Sequence, residues 1–167
     1  MSLKLCRKSS MVLRILLDSS YILPAFGIAV KGISREDLLK LEQLRVEGTV
    51  QYYYSPIIWI EIVPKVLKEY SARRIAIDTK MFEQAILVLE DSAKRVDPGS
   101  VALEIAVKLR ILGHRDMIDN ILYGIAIENN LLFLTMDKAF REFLQNHGLE
   151  TSIVIDHKQL FNQLAKH

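Results

Sequence analysis

Cysteine is nearly missing from this chain: one residue, Cys6, in 167. That excludes an internal disulfide and a cysteine-rich zinc site, and it suits the reducing cytoplasm. The four histidines, His114, His147, His157 and His167, show no metal-ligand spacing. No window approaches the eighteen or so apolar residues that a membrane span requires, so no membrane association is expected. Charge of one sign is also scarce. The formal net charge is +2, and the basic residues are spread along the chain rather than packed into one run, so charge alone does not mark a nucleic-acid binder. There is no internal repeat and no low-complexity segment. With half its residues hydrophobic and a quarter charged, the chain reads as a folded domain rather than a disordered one.

The beginning is polar and basic, with Lys4, Arg7 and Lys8 ahead of an apolar stretch. Arg14 and Asp18 interrupt that stretch and no small-residue cleavage site follows, which argues against a secretory signal. The expected organisation is an extension over 1–10 followed by a single domain over 11–167.

The most informative stretch runs from His114 to Phe140. Asp119 is expected to open a helix in which Ile121, Leu122, Ile125 and Ala126 recur at three and four, and Asn129-Asn130 to end it. Leu131–Leu134 is then a strand-length apolar run, and Thr135-Met136-Asp137 puts a carboxylate where it stops. Val12–Leu17 repeats the device, ending in Asp18-Ser19-Ser20. In parallel sheets ligands bind outside the carboxyl ends of the strands, so two strands that each deliver an Asp there define a candidate site. Carboxylate oxygens brought together suit hard divalent cations such as Mg²⁺.

Elsewhere, Tyr21–Val30 reads as helical with Pro24 near its start and Gly32 as a break. Ser34 with Asp37 begins a second helix, whose core stripe is Leu38, Leu39, Leu41 and Leu44. Val50–Tyr54 is a strand rich in tyrosine. Ser55-Pro56 starts a helix with Ile57, Ile58, Ile60 and Ile62 inward and Glu61 as an acid inside the apolar run; Pro64 is expected to kink or restart it. Helices follow over 79–93 and 101–112, then 138–146, a last strand over 152–155 and a helix over 158–166. Strands separated by helices imply an α/β fold with a mainly parallel sheet of four to five strands between helical layers.

These segments resemble the PIN domain (PilT N-terminus) family of metal-dependent ribonucleases, which includes VapC-type toxins. LLDSS at Leu16–Ser20 is similar to the family's first strand with its Asp, and SPIIWIEI at Ser55–Ile62 to the segment bearing its Glu. Asp119 matches the Asp opening the helix before the fourth strand, and LTMDKAF is similar to the family's T-x-D-x-x-F ending. The resemblance implies an α/β/α sandwich with Asp18, Glu61, Asp119 and Asp137 as catalytic residues holding Mg²⁺ or Mn²⁺, and Asp116 as a rival or helper ligand. Ser19 and Thr135 would orient carboxylates, and Arg115 is the candidate phosphate contact. The activity implied is RNA hydrolysis to 5′-phosphate and 3′-hydroxyl ends, with RNA as substrate, an antitoxin protein as partner in the toxin case, and a homodimer.

Competing readings come from the residues themselves. Asp18, Asp119 and Asp137 each precede an apolar helix and suit N-capping; Ser19 and Thr135 suit caps or turns. The group Lys65, Lys68, Arg73 and Arg74 reads as a solvated helix face with phosphate contact as the lesser alternative, and Arg115 as a surface ion pair with Asp116. A catalytically idle RNA-binding or scaffold module of the same fold is the alternative function. A phosphate-accepting receiver domain lacks its Asp, because the second strand ends in Ser55-Pro56.

Overall fold

A computed structural model describes residues 12–76 and 78–166; the expected extension over 1–10 and Cys6 lie outside them. The centre of the molecule is β1 (Leu13–Leu17), whose Ile15 and Leu16 are wholly buried. A strand covered on both faces needs a continuous apolar run, and ILL supplies it. Arg14 stays exposed, its Nε donating to the Tyr53 hydroxyl at 3.2 Å.

On one side of β1 lies β2 (Val50–Tyr54) and beyond it β3 (Ala93–Arg95); on the other side lie β4 (Leu132–Leu134) and β5 (Val154–Ile155). The order is β3-β2-β1-β4-β5 and every pairing is parallel. Eight helices among the described residues connect and flank the strands: α1 (Ser19–Ile22), α2 (Arg35–Val46), α3 (Trp59–Ala72), α4 (Thr79–Ser92), α5 (Ser100–Ile111), α6 (Met117–Asn129), α7 (Lys138–Asn146) and α8 (His157–Leu164). The fold is α/β with a wholly parallel five-stranded sheet. No helix among the described residues is long and apolar enough to cross a membrane.

Several expectations are corrected. Strand β3 was not foreseen: of its three residues only Ala93 is buried, so it carries no apolar pattern, and pairing with β2 alone defines it. The helix expected over 21–30 is α1 followed by a 3-10 turn (Leu23–Phe26), stopped by Gly27 at φ 72° rather than by Gly32. Pro64 does not restart α3, which runs through it after a 3-10 turn at Pro56–Ile58. Ser55 precedes that turn without a side-chain capping bond, and its buried hydroxyl has no partner among the described residues. Leu39 and Ile60 are exposed rather than core.

The tyrosines of β2 are structural. Tyr52 and Tyr54 are buried, with hydroxyls donating to the Leu41 carbonyl at 2.9 Å and to Glu90 at 3.4 Å. Ser34 and Asp37 form the reciprocal cap expected of α2.

Candidate functional site

The sheet register places the carboxyl ends of β1 and β4 level, with Leu17 opposite Leu134. The Asp18 amide extends that ladder by donating to the Leu134 carbonyl at 3.1 Å. Asp18, the residue after β1, therefore lies beside Thr135, the residue after β4. Thr135 Oγ1 donates to Asp18 Oδ2 at 2.8 Å, and Ser20 Oγ donates to the same oxygen at 3.0 Å. The Asp18 Oδ1 accepts from the Ser19 amide. Asp18 is 7% exposed, so these donors replace water that it has lost.

Glu61 enters from the first turn of α3. Its Oε1 accepts from Ser19 Oγ at 2.9 Å and from the Lys65 ammonium, which also lies 3.4 Å from Ser19 Oγ. Ser19 thus joins the neighbourhoods of Asp18 and Glu61. Asp116 and Asp119 come from the start of α6, and Asp137 from the start of α7.

Asp119 registers the whole cluster. Its carboxyl is pushed up to about 8, first by burial and then by the negative charges of Asp18, Asp116, Asp137 and Glu61. Asp18 is also raised: burial is the largest cause and Glu61 adds to it, while the bonds from Thr135, Ser20 and Ser19 oppose. The five acids named from the sequence therefore share one electrostatic neighbourhood.

Capping and membership of the cluster coexist. Asp18 caps α1, and Asp137 caps α7 by accepting from the Phe140 amide at 2.8 Å. The expectation that Asp119 opens its helix is corrected. Asp116 is the cap of α6, accepting from the amides of Ile118 at 2.9 Å and Asp119 at 3.3 Å, because Met117 already has helical geometry. Asp119 sits three residues inside, free of the capping role. Arg115 is exposed and forms no ion pair among the described residues, so its pairing with Asp116 is not found.

Two site residues were missed by the sequence reading. Ser20 was passed over beside Ser19. For Lys65 the sequence suggests a solvated face or a phosphate contact, whereas its spacing of four from Glu61 is the legible signal for the ion pair found here.

The donor set fits a hard divalent cation in chemistry: carboxylate oxygens, of which Asp119 is raised first by burial and then by the neighbouring negative charges. No three or more of these side chains are already arranged as a metal cage among the described residues. Asp18, Glu61, Asp116 and Asp137 instead accept hydrogen bonds from the donors described above. An open groove of about 840 Å³ lies away from this cluster at the β3 edge, where Glu90 and Asp91 sit among Arg45, Lys94 and Arg95. Its mixed charges make it the weaker candidate.

The sequence matches no protein-family model and no curated protein. Solved structures do match. PAE2754 from Pyrobaculum aerophilum is similar over 100% of this chain and 99% of its own, at TM-score 0.59 and 16% identity. VapBC2 from Rickettsia felis, solved bound to a DNA fragment from its promoter, is similar over 86% of this chain and 98% of the matched chain, at TM-score 0.59 and 13% identity. At such identities the likeness establishes a shared fold.

Proposed function

We propose that this chain is a metal-dependent endoribonuclease that hydrolyses RNA phosphodiester bonds, with Asp18, Glu61, Asp119 and Asp137 holding Mg²⁺ or Mn²⁺ and Asp116 as a further oxygen donor. The observation that supports this most is the rise of the Asp119 carboxyl to about 8, caused first by burial and then by the charges of Asp18, Asp116, Asp137 and Glu61. Capping accounts for acids one at a time and gives no reason to gather five. A divalent cation bound there supplies Lewis-acid polarisation of the phosphodiester and lowers the pKa of water.

The chain's own residues do the holding. Thr135 and Ser20 restrain Asp18, Ser19 restrains Glu61, and the α6 cap fixes the turn carrying Asp119. Arg115, exposed next to Asp116, is the phosphate contact of this reading. The fold shared with VapBC2 supports a toxin role with an antitoxin partner, and a cytoplasmic homodimer is proposed with it.

A catalytically idle RNA-binding module is the second reading, favoured by the lack of a ready three-ligand arrangement among the described residues. The deciding experiment is cleavage of a mixed-sequence single-stranded RNA with Mn²⁺, Mg²⁺ or EDTA, comparing the native chain with Asp18→Asn and Asp119→Asn. Metal-dependent cutting lost in both variants supports the nuclease. Cutting that survives both sinks it, and Mn²⁺ binding without any cutting favours the idle module.

A further inference from the structure

Lys65 follows Glu61 by one turn of α3, and its ammonium rests on the same Glu61 oxygen that accepts from Ser19 Oγ. It also lies 3.4 Å from that hydroxyl, which places positive charge inside the acid cluster and beside the residue flanking Asp18. The neighbouring basic residues differ. Arg73 pairs outside the cluster with Glu69 at 2.7 Å, and Lys68 is an exposed residue one turn further along, with no ion pair among the described residues. Lys65 is 48% exposed at its side chain against 20% for Glu61. Its head group is held by the acid while its flexible four-carbon stem remains in solvent, free to swing.

We propose that Lys65 is the resident counter-cation of this carboxylate site: it competes with the divalent cation for Glu61 and, once displaced, contacts the RNA phosphate. The inference rests on the metal-site reading above and goes beyond it. The physical argument is charge exchange. A cation taking Glu61 meets the Lys65 ammonium at close range, where like charges repel strongly in a partly dehydrated site. The ammonium must leave the carboxylate, and its tether keeps it at the rim. There it supplies positive charge for an incoming phosphate, and the net charge of the chain stays low without it.

The test uses the full chain as Lys65→Met, Lys65→Arg and, as a control on the same helix, Lys68→Met, each first checked by thermal melting for a native fold. Mn²⁺ affinity is measured without RNA by electron paramagnetic resonance. Affinity for a 12-nucleotide single-stranded RNA is measured in Ca²⁺ by fluorescence anisotropy. Lys65→Met is expected to bind Mn²⁺ roughly three- to tenfold tighter and RNA weaker by a similar factor. Lys65→Arg should keep RNA affinity near the native value, and Lys68→Met should leave Mn²⁺ affinity unchanged.

The opposite signs are the signature, because a merely structural role for Lys65 would weaken both. Equal Mn²⁺ affinity in the native chain and Lys65→Met overturns the competition and leaves the metal site standing. Tighter Mn²⁺ binding with unchanged RNA affinity overturns the phosphate contact. Mn²⁺ bound by none of these proteins overturns both the inference and the metal reading beneath it.

Discussion

At Asp119 burial, and after it the charge of four neighbouring acids, imposes a cost on the ionised carboxyl that depends on pH. Its folded-state value near 8 stands above the ordinary 3.8, so between those values the folded chain binds more protons than the unfolded one. Stability of the metal-free protein should therefore fall as pH rises from about 4 to about 8, with the penalty fully present above that window. With partial exposure taken into account, the loss is on the order of 2 kcal/mol. Asp119→Asn removes the charge, so in EDTA at pH 9 its melting midpoint should exceed the native one by several degrees, while cleavage activity is lost. Equal midpoints at pH 9 would refute the crowding of charge. Asp119 also illustrates what the sequence makes visible. The acid itself and its helix were readable from periodicity. Its release from capping was not, because Asp116 and Asp119 are equally suited by residue type, and only backbone geometry decides which one stands outside the first turn.

The pair α5 and α6 shows how elements fit together through small residues and borrowed caps. Gly124 of α6 lies against the backbone of Ala102 of α5, and an added Cβ there would overlap the Ala102 carbonyl. Gly124→Ala is expected to cost about 3 kcal/mol despite the better helix propensity of alanine, as read by urea unfolding. Stabilisation by that change would show that the helices can separate freely. Helix α5 has no side-chain cap of its own. Glu128 of α6 provides it, accepting from the Gly99 amide at 2.9 Å and the Val101 amide at 3.2 Å. Glu128→Ala should lose about 1–2 kcal/mol, with amide exchange accelerated chiefly at the start of α5; acceleration spread evenly over the chain would count against the cap. Neither contact was legible in advance, because both join residues more than twenty positions apart with no local pattern.

Across the whole molecule, the parallel order of the sheet determines the site. Placing β4 beside β1 sets Thr135 on Asp18 across 117 positions of sequence, and acids at other helix starts add their negative charge at Asp119. If this crevice holds a divalent cation only when folded, Mn²⁺ at a hundred times its dissociation constant should add about 2.7 kcal/mol of stability. Thermal melting at pH 7.5 should show that increase in the native chain and not in the Asp18→Asn, Asp119→Asn double variant. An equal rise in both would place the ion elsewhere.

The amino-acid order by itself determined the strands β1, β2, β4 and β5, through short apolar runs ended by polar residues, and it determined that Asp18 and Asp137 stand where β1 and β4 give way to helices. Local hydrophobic period and capping chemistry act over a few residues, so they can be read directly. What only the tertiary structure decided is which of those boundaries meet. Strand β3 exists because β2 offers it a ladder. Glu61 turns toward Ser19 although Pro64 follows it, since α3 continues unbroken and Ser19 stands opposite. Lys65 reaches Glu61 and Ser19 from an exposed helix face for the same reason. Charges interact through space, and the distance between Lys65 and Ser19 is a property of the folded sheet and helices, not of the forty-six positions that separate them in sequence.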